Sequence, residues 1–283
     1  MNISLTNTAK KLCVIGDPVI HSKSPLIQNA MCQELGLDFI YLCQSVKPEG
    51  LSDFLAGAKA LGYAGFNATM PFKELLIPYL DELDPLAKKL GAVNTVCIRD
   101  GKLYGYNTDC PGYVAALRHG GFDPAGKTVL LLGAGGAAKA VALGLAEAGA
   151  ASVSVANRTR EKAQAVVDLI PGVGKVIDWD GSSLQEAAAE CQLLVNATSL
   201  GMAGQGEFDD LSFLNALPQG ALVSDLIYHP AQTLLLKRAK ELGYQTVNGL
   251  PLLMHQAILA LEYFTGQSIP AQRVVPLLEG LLA

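Results

Sequence analysis

GKTVLLLGAGGAAKAVALGLAEAGA, residues 126–150, decides the fold. Its opening, TVLLL, is a short apolar run of strand character, and its second half is alanine-rich and helical, with glycines between. Strand, glycine turn and helix in direct succession predict a crossover of a doubly wound α/β sheet. The turn itself reads GAGGAA, residues 133–138. In that setting the spacing has a physical meaning. Gly133 permits the tight turn, Gly135 lets a pyrophosphate approach the backbone, and Ala138 lets the helix pack closely on the strand. The helix start adds amide donors and a partial positive charge. The stretch therefore predicts a dinucleotide site rather than a turn alone.

The strand that follows refines the ligand. SVSVANRTREK, residues 152–162, carries Asn157, Arg158 and Thr159 at its end and Lys162 a turn later. An NAD site places Asp or Glu there for the ribose hydroxyls, and an S-adenosylmethionine site also favours an acid. A guanidinium suits a 2′-phosphate, which it can hold through two hydrogen bonds. The expected cofactor is NADP. The plainer reading, Thr159 as the N-cap of a solvated helix, is compatible with it.

Working outward, short apolar runs alternate with helical patterns almost throughout, predicting an α/β chain with mainly parallel sheets. KLCVIG, DFIYLCQSV and YAGFNAT read as strands in the first third, and QLLVNAT and ALVSDLIY in the second lobe. Ser24 followed by Pro25 reads as an N-cap and first helical residue, with Gly36 as the stop. Asp100-Gly101 predicts a two-residue hairpin turn. The chain ends in helical patterns, from QTLLLKRAKELG to AQRVVPLLEGLLA. Two α/β lobes are expected.

The 283 residues are 50% hydrophobic and only 17% charged, which excludes a disordered chain. A net charge of −5 argues against a nucleic-acid surface. No uninterrupted apolar run of spanning length and no leader-like start is visible, and the six cysteines form no CxxC pair. A cytoplasmic protein with reduced thiols is expected, without a membrane or nucleic-acid partner. No metal-ligand spacing occurs.

Hydride chemistry at an alcohol carbon needs a group to exchange the hydroxyl proton. None of the four histidines has a convincing catalytic setting. Lys73, in NATMPFK just past a strand end, and Asp109, closing GYNTD, are the better candidates. Both also read as exposed hinge residues, and spacing does not separate the two readings.

In order along the chain, HSKSP (21–25), NATMPFK (67–73), GAVNT (91–95), GYNTD (105–109), GAGGA (133–137), NRT (157–159), NATSLGM (196–202), DLIYHP (225–230) and MHQA (254–257) resemble the shikimate dehydrogenases. That resemblance implies NADP-dependent reduction of 3-dehydroshikimate to shikimate in aromatic amino-acid biosynthesis. It implies a Rossmann-type NADP domain at 111–244 and a discontinuous substrate domain at 1–110 plus 245–283. Lys73 and Asp109 match the catalytic pair. Ser22 and Ser24 match the serines that hold the substrate carboxylate, with Tyr228 assisting. Asn67, Thr69, Asn94 and Gln256 match residues that bind the ring hydroxyls. Gly133, Ala134, Gly135, Gly136, Ala137, Asn157, Arg158, Thr159 and Lys162 match the cofactor loop and phosphate positions. Thr198, Ser199, Met202, Gly249 and Met254 match segments flanking the ribose and nicotinamide. A monomer or homodimer is expected.

The chain departs from the pattern at Ala68, more often Val, at His229, and at Lys162, where Arg is common. Quinate is the rival substrate, but Ser24 and Asn157 favour shikimate and NADP over quinate and NAD. A non-catalytic relative would have lost Lys73, Asp109 or the serines.

Overall fold

The computed structural model describes residues 5–282. They form two compact units, one running to Thr108 and resuming at Met254, the other spanning Asp109–Leu253.

The first unit contains β1 (Lys10–Gly16), α1 (Ser24–Leu35), β2 (Phe39–Ser45), α2 (Leu51–Ala60), β3 (Tyr63–Ala68) and the one-turn α3 (Phe72–Leu75). Next come β4 (Glu82–Leu83), α4 (Pro85–Leu90), β5 (Thr95–Arg99) and β6 (Lys102–Tyr106). The sheet order is β2-β1-β3-β5-β6-β4. β1 is parallel to both neighbours, whereas β5 runs antiparallel to β3 and β6. Asp100 and Gly101 both have positive φ, 51° and 74°, as a type I′ hairpin requires. One face of this sheet is closed by Phe66, Phe72 and Leu76, all fully buried.

The second unit contains α5 (Asp109–His119), β7 (Thr128–Leu132), α6 (Gly136–Glu147), β8 (Ser152–Ala156), α7 (Arg160–Val167) and β9 (Gly174–Ile177). It continues with α8 (Gly181–Glu190), β10 (Leu193–Asn196), β11 (Leu222–Asp225), α9 (Leu234–Glu241) and β12 (Gln245–Val247). Its order, β12-β11-β10-β7-β8-β9, is parallel throughout and reverses direction between β7 and β10, the Rossmann arrangement. Val129, Leu130, Leu131 and Leu132 are all fully buried, because crossover helices cover both faces of such a sheet. Helix α10 (Leu250–Thr265) begins in this unit and passes into the first, where α11 (Ala271–Leu282) follows. The Arg273 guanidinium on α11 donates to the Glu34 carboxylate and carbonyl at 2.8 and 2.6 Å.

Three strands were not anticipated: β4, β9 and β12. Each lies at the edge of its sheet, is four residues or fewer, and is only partly buried, so none carries a strong apolar run. Residues 245–253 belong to the second unit, since β12 pairs with β11. Ser24 is not a cap. It is the first residue of α1, Lys23 holds the cap position, and no side chain caps the helix. The physical reason is a turn one residue earlier: the Ser24 amide donates to Ser22 Oγ at 3.2 Å, so the Ser24 hydroxyl is not drawn to its own helix start. Gly36 ends α1 at φ 65° as expected. No helix among the described residues is long and apolar enough to cross a membrane.

Candidate active site

In the first unit, the candidates gather around the C-terminal ends of β1 and β3. Thr69 donates its amide to Ile15 O at 3.0 Å, and its methyl would lie 2.5 Å from any Cβ at Gly16. Glycine at the end of β1 is what admits Thr69. Lys73 follows on α3, which is held down by the fully buried Phe72 and Leu76. Its side chain is half-buried, and its carbonyl accepts from Val93 N at 2.8 Å, tying the helix to the segment that carries Asn94.

The same unit holds a directional chain of hydrogen bonds. Tyr41 OH donates to Asn67 Oδ1 at 2.7 Å, and Asn67 Nδ2 donates to Thr95 Oγ1 at 2.9 Å. Thr95 Oγ1 donates to Asn94 Oδ1 at 3.0 Å, and Asn94 Nδ2 donates to Thr108 Oγ1 at 2.9 Å. Asn67 Nδ2 also reaches Asn94 O at 3.0 Å, and Thr108 N donates to Asn94 Oδ1 at 2.9 Å. Tyr41, Asn67, Asn94, Thr95 and Thr108 are all buried, so each bond replaces solvation that the group has lost. Burial raises the Tyr41 phenol well above its ordinary range, the neighbouring Cys13 and Cys43 add to this, and hydrogen bonding with Ser24 opposes it. Ser22 and Gln256 are half-buried, and Met254 is buried on α10.

Sequence reading missed Tyr41, Thr95 and Thr108. Two of them sat inside quoted motifs, and the available signal was a polar residue in a run otherwise bound for the core. Tyr41 gave no such signal, because an aromatic in a strand reads as packing.

In the second unit, Gly133 has φ 109°, and a Cβ there would stand 2.8 Å from Ala197 O. Its amide donates to Ala156 O at 2.8 Å, so the ends of β7, β8 and β10 converge on it. Gly135 and Gly136 are exposed, and a Cβ on either would meet nothing within 4 Å. Helix α6 starts there with no side-chain cap and no acid in its first turn. Ala134 is buried and Ala137 exposed, while Ala138 is 0% exposed against the sheet. An open cradle of glycine backbone at an uncapped helix start fits a pyrophosphate.

Arg158 and Lys162 are exposed at the end of β8, and among the described residues Arg158 has no ion-pair partner. Asn157 Nδ2 donates to Thr159 O at 2.9 Å, folding this loop on itself. Thr159 stands at the cap position of α7, but its side chain makes no capping bond, unlike the plain helix start considered above. The neighbouring Arg160 is already paired with Asp178. Two exposed cations and no carboxylate at the strand end fit a 2′-phosphate.

The loops after β10 and β11 are knotted together. Thr198 donates from N and Oγ1 to Asn196 Oδ1 at 3.0 and 2.7 Å. Asn196 Nδ2 donates to Asp225 Oδ1 at 3.0 Å, and Thr233 Oγ1 donates to Asp225 Oδ2 at 2.7 Å. Burial pushes the Asp225 carboxyl up, against these bonds and that from Ile227 N. Ser199, Met202 and Tyr228 are exposed on these loops. Gly249 donates its amide to Ile227 O at 3.0 Å, and the preceding Asn248 is held from Nδ2 to Ala231 O and from Leu250 N to Oδ1. Asp109 is the first residue of the unit, half-buried at the start of α5.

Comparison with known proteins matches residues 14–96 to the shikimate dehydrogenase substrate-binding domain and residues 115–202 to shikimate/quinate 5-dehydrogenase. A shikimate dehydrogenase (NADP(+)) from Alkaliphilus metalliredigens is 38% identical, covering 97% of this chain and 98% of that one. A Listeria monocytogenes shikimate 5-dehydrogenase, solved with shikimate and NAD, superposes with a TM-score of 0.90 at 34% identity, covering 98% of this chain and 99% of that one. The ligand-free 5-ketofructose reductase of a Gluconobacter strain superposes at 0.88, also at 34% identity, covering 98% of this chain and 100% of that one.

Proposed function

This chain belongs to the shikimate dehydrogenase family, and on that premise we propose that it catalyses the reversible, NADPH-dependent reduction of 3-dehydroshikimate to shikimate. The observation that carries the reading is the buried amide and hydroxyl chain through Asn67 and Asn94, the latter on the segment tied to the Lys73 carbonyl through Val93 N. A ring bearing several hydroxyls needs uncharged donors and acceptors fixed in place, because an unpaired polar group on either side is costly. A lysine beside such a set supplies the one charge the chemistry requires.

When bound, the cofactor supplies a hydride to the ketone carbon. The Gly133–Ala137 turn and the start of α6 would hold its pyrophosphate, and Arg158 with Lys162 its 2′-phosphate. Thr198, Ser199, Met202, Gly249 and Met254 are assigned to the ribose and nicotinamide segments. Ser22 and Ser24 bind the substrate carboxylate with Tyr228, while Asn67, Thr69, Asn94 and Gln256 take the ring hydroxyls. As negative charge develops on the ketone oxygen, the Lys73 ammonium stabilises it and gives up a proton, with Asp109 orienting the lysine. In the reverse direction Lys73 accepts the hydroxyl proton. The substrate domain comprises the first unit, the NADP domain the second. The enzyme works in the cytoplasm as a monomer or homodimer and contacts neither nucleic acid nor membrane.

The test is a steady-state matrix of shikimate and quinate, each with NADP⁺ and NAD⁺. The expected result is a kcat/KM that strongly favours shikimate with NADP⁺. Equal or better turnover of quinate with NAD⁺ overturns the substrate and cofactor assignments.

A further inference from the structure

We propose that Tyr41 is a positioning residue that presents Asn67 to the substrate as a hydrogen-bond acceptor only. The inference rests on the shikimate reading above. An asparagine amide can face a ligand with its oxygen or its nitrogen, and the two choices recognise opposite partners. At Asn67 the choice is made from behind. Both Nδ2 protons are committed, to Asn94 O at 3.0 Å and Thr95 Oγ1 at 2.9 Å. Asn94 O is a backbone carbonyl and only accepts, so turning the amide over would set two oxygens against each other. To reverse its own bond, Thr95 would have to give up the one it donates to Asn94 Oδ1. What remains for a substrate is the second lone pair of Asn67 Oδ1, whose first is taken by Tyr41 OH at 2.7 Å.

Tyr41 closes this arrangement from the neighbouring part of the sheet. It is 1% exposed, and its amide donates to Asn29 Oδ1 at 2.9 Å, fixing the strand to α1. Its hydroxyl gives its proton to Asn67. The hydroxyl opposite Asn67 must donate, so a ketone, ether or methoxy group at that carbon is rejected.

Tyr41→Phe keeps the buried ring and removes only the hydroxyl. The expected result is a fall of about 10-fold in kcat/KM for shikimate, carried mainly by KM, with the KM for NADP⁺ unchanged. Because Tyr41 acts through Asn67, the Tyr41→Phe/Asn67→Ala double variant should be no worse than Asn67→Ala alone. Penalties that multiply, or a matching rise in the NADP⁺ KM, overturn the proposal. Thr95→Ser, which keeps the hydroxyl, should restore what Thr95→Val loses; equal losses also count against it. The amide can be read without substrate, from hydrogen exchange of the Asn67 side-chain protons, assigned by their absence in Asn67→Ala. Exchange should be at least about 10-fold faster in Tyr41→Phe than in the parent, and an unchanged rate overturns the proposal. A parent protein that does not turn over shikimate refutes the substrate reading alone, and the exchange rates then decide the inference.

Discussion

The two units build their candidate binding surfaces from opposite materials. In the first, the candidates are side chains wired to one another inside the sheet: Asn67 and Asn94 each hold three or more hydrogen bonds and are almost fully buried. In the second, the glycine turn offers bare backbone, and the charged groups, Arg158 and Lys162, stand in solvent. The difference teaches how each surface achieves selectivity. A ring of hydroxyls is recognised by orientation, which demands a rigid support. A phosphate is recognised by charge and by a concave run of amides, which demands chiefly room.

The sharpest way to break the comparison is Lys73→Ala. Turnover of shikimate should fall by about 1000-fold or more, with NADPH affinity nearly unchanged as read by fluorescence titration. Near-parent turnover would remove chemistry from the first unit altogether. Arg158→Ala is the counterpart. Loss of a charge-assisted pair should raise the NADPH KM by about 10- to 100-fold and leave the NADH KM in place. Equal effects on both cofactors would show that the exposed cation does not read the 2′-phosphate.

Asp225 sharpens the contrast, because it shows that the second unit also owns a buried polar knot, placed behind its loops. An amide at this position turns a donor toward Ile227 N, Asn196 Nδ2 or Thr233 Oγ1, all of which are donors. Asp225→Asn should therefore cost about 2 kcal/mol in denaturant unfolding. Burial raises the folded carboxyl above its unfolded value near 3.9, so the native state binds the extra proton. The parent's stability from this group is full below that value and declines as pH rises through the raised folded pKa. The stability gap between parent and variant should accordingly be wider near pH 4 than near pH 8. The smallest effect belongs to Asp180, the exposed cap of α8, whose side chain accepts from Ser183 N and which serine hydrogen bonds hold down at about 2. Asp180→Ala should lower Tm by roughly 2 °C, an effect present above pH 4 and lost as pH falls toward 2.

The same division explains what could be read from the letters. Gly133, Gly135 and Ala138 act through local geometry, so a six-residue window announces the second unit's fold and ligand class. Asp100-Gly101 was legible for the same reason. Asn67 depends on Tyr41, 26 residues earlier, and on Thr95, 28 later, and no local pattern encodes that meeting. The lysine was legible from its place just past a strand end and the asparagines only as parts of motifs, and the support of both was invisible. Ser24 was misread because the Ser22 turn competes for the helix start. Edge strands β9 and β12 escaped because a partly exposed strand has no apolar face to display.

Asn248-Gly249 has a further consequence, on the timescale of storage rather than turnover. Asn-Gly is the dipeptide in which the following nitrogen closes most readily on the side-chain carbonyl, forming a succinimide and then aspartate. Here that nitrogen is bonded to Ile227 O, and the asparagine is held at both ends of its amide. The folded unit thus keeps its most labile peptide out of the cyclising geometry. Accumulated isoaspartate at this position would serve as a chemical clock, recording how long a preparation has spent with these loops open.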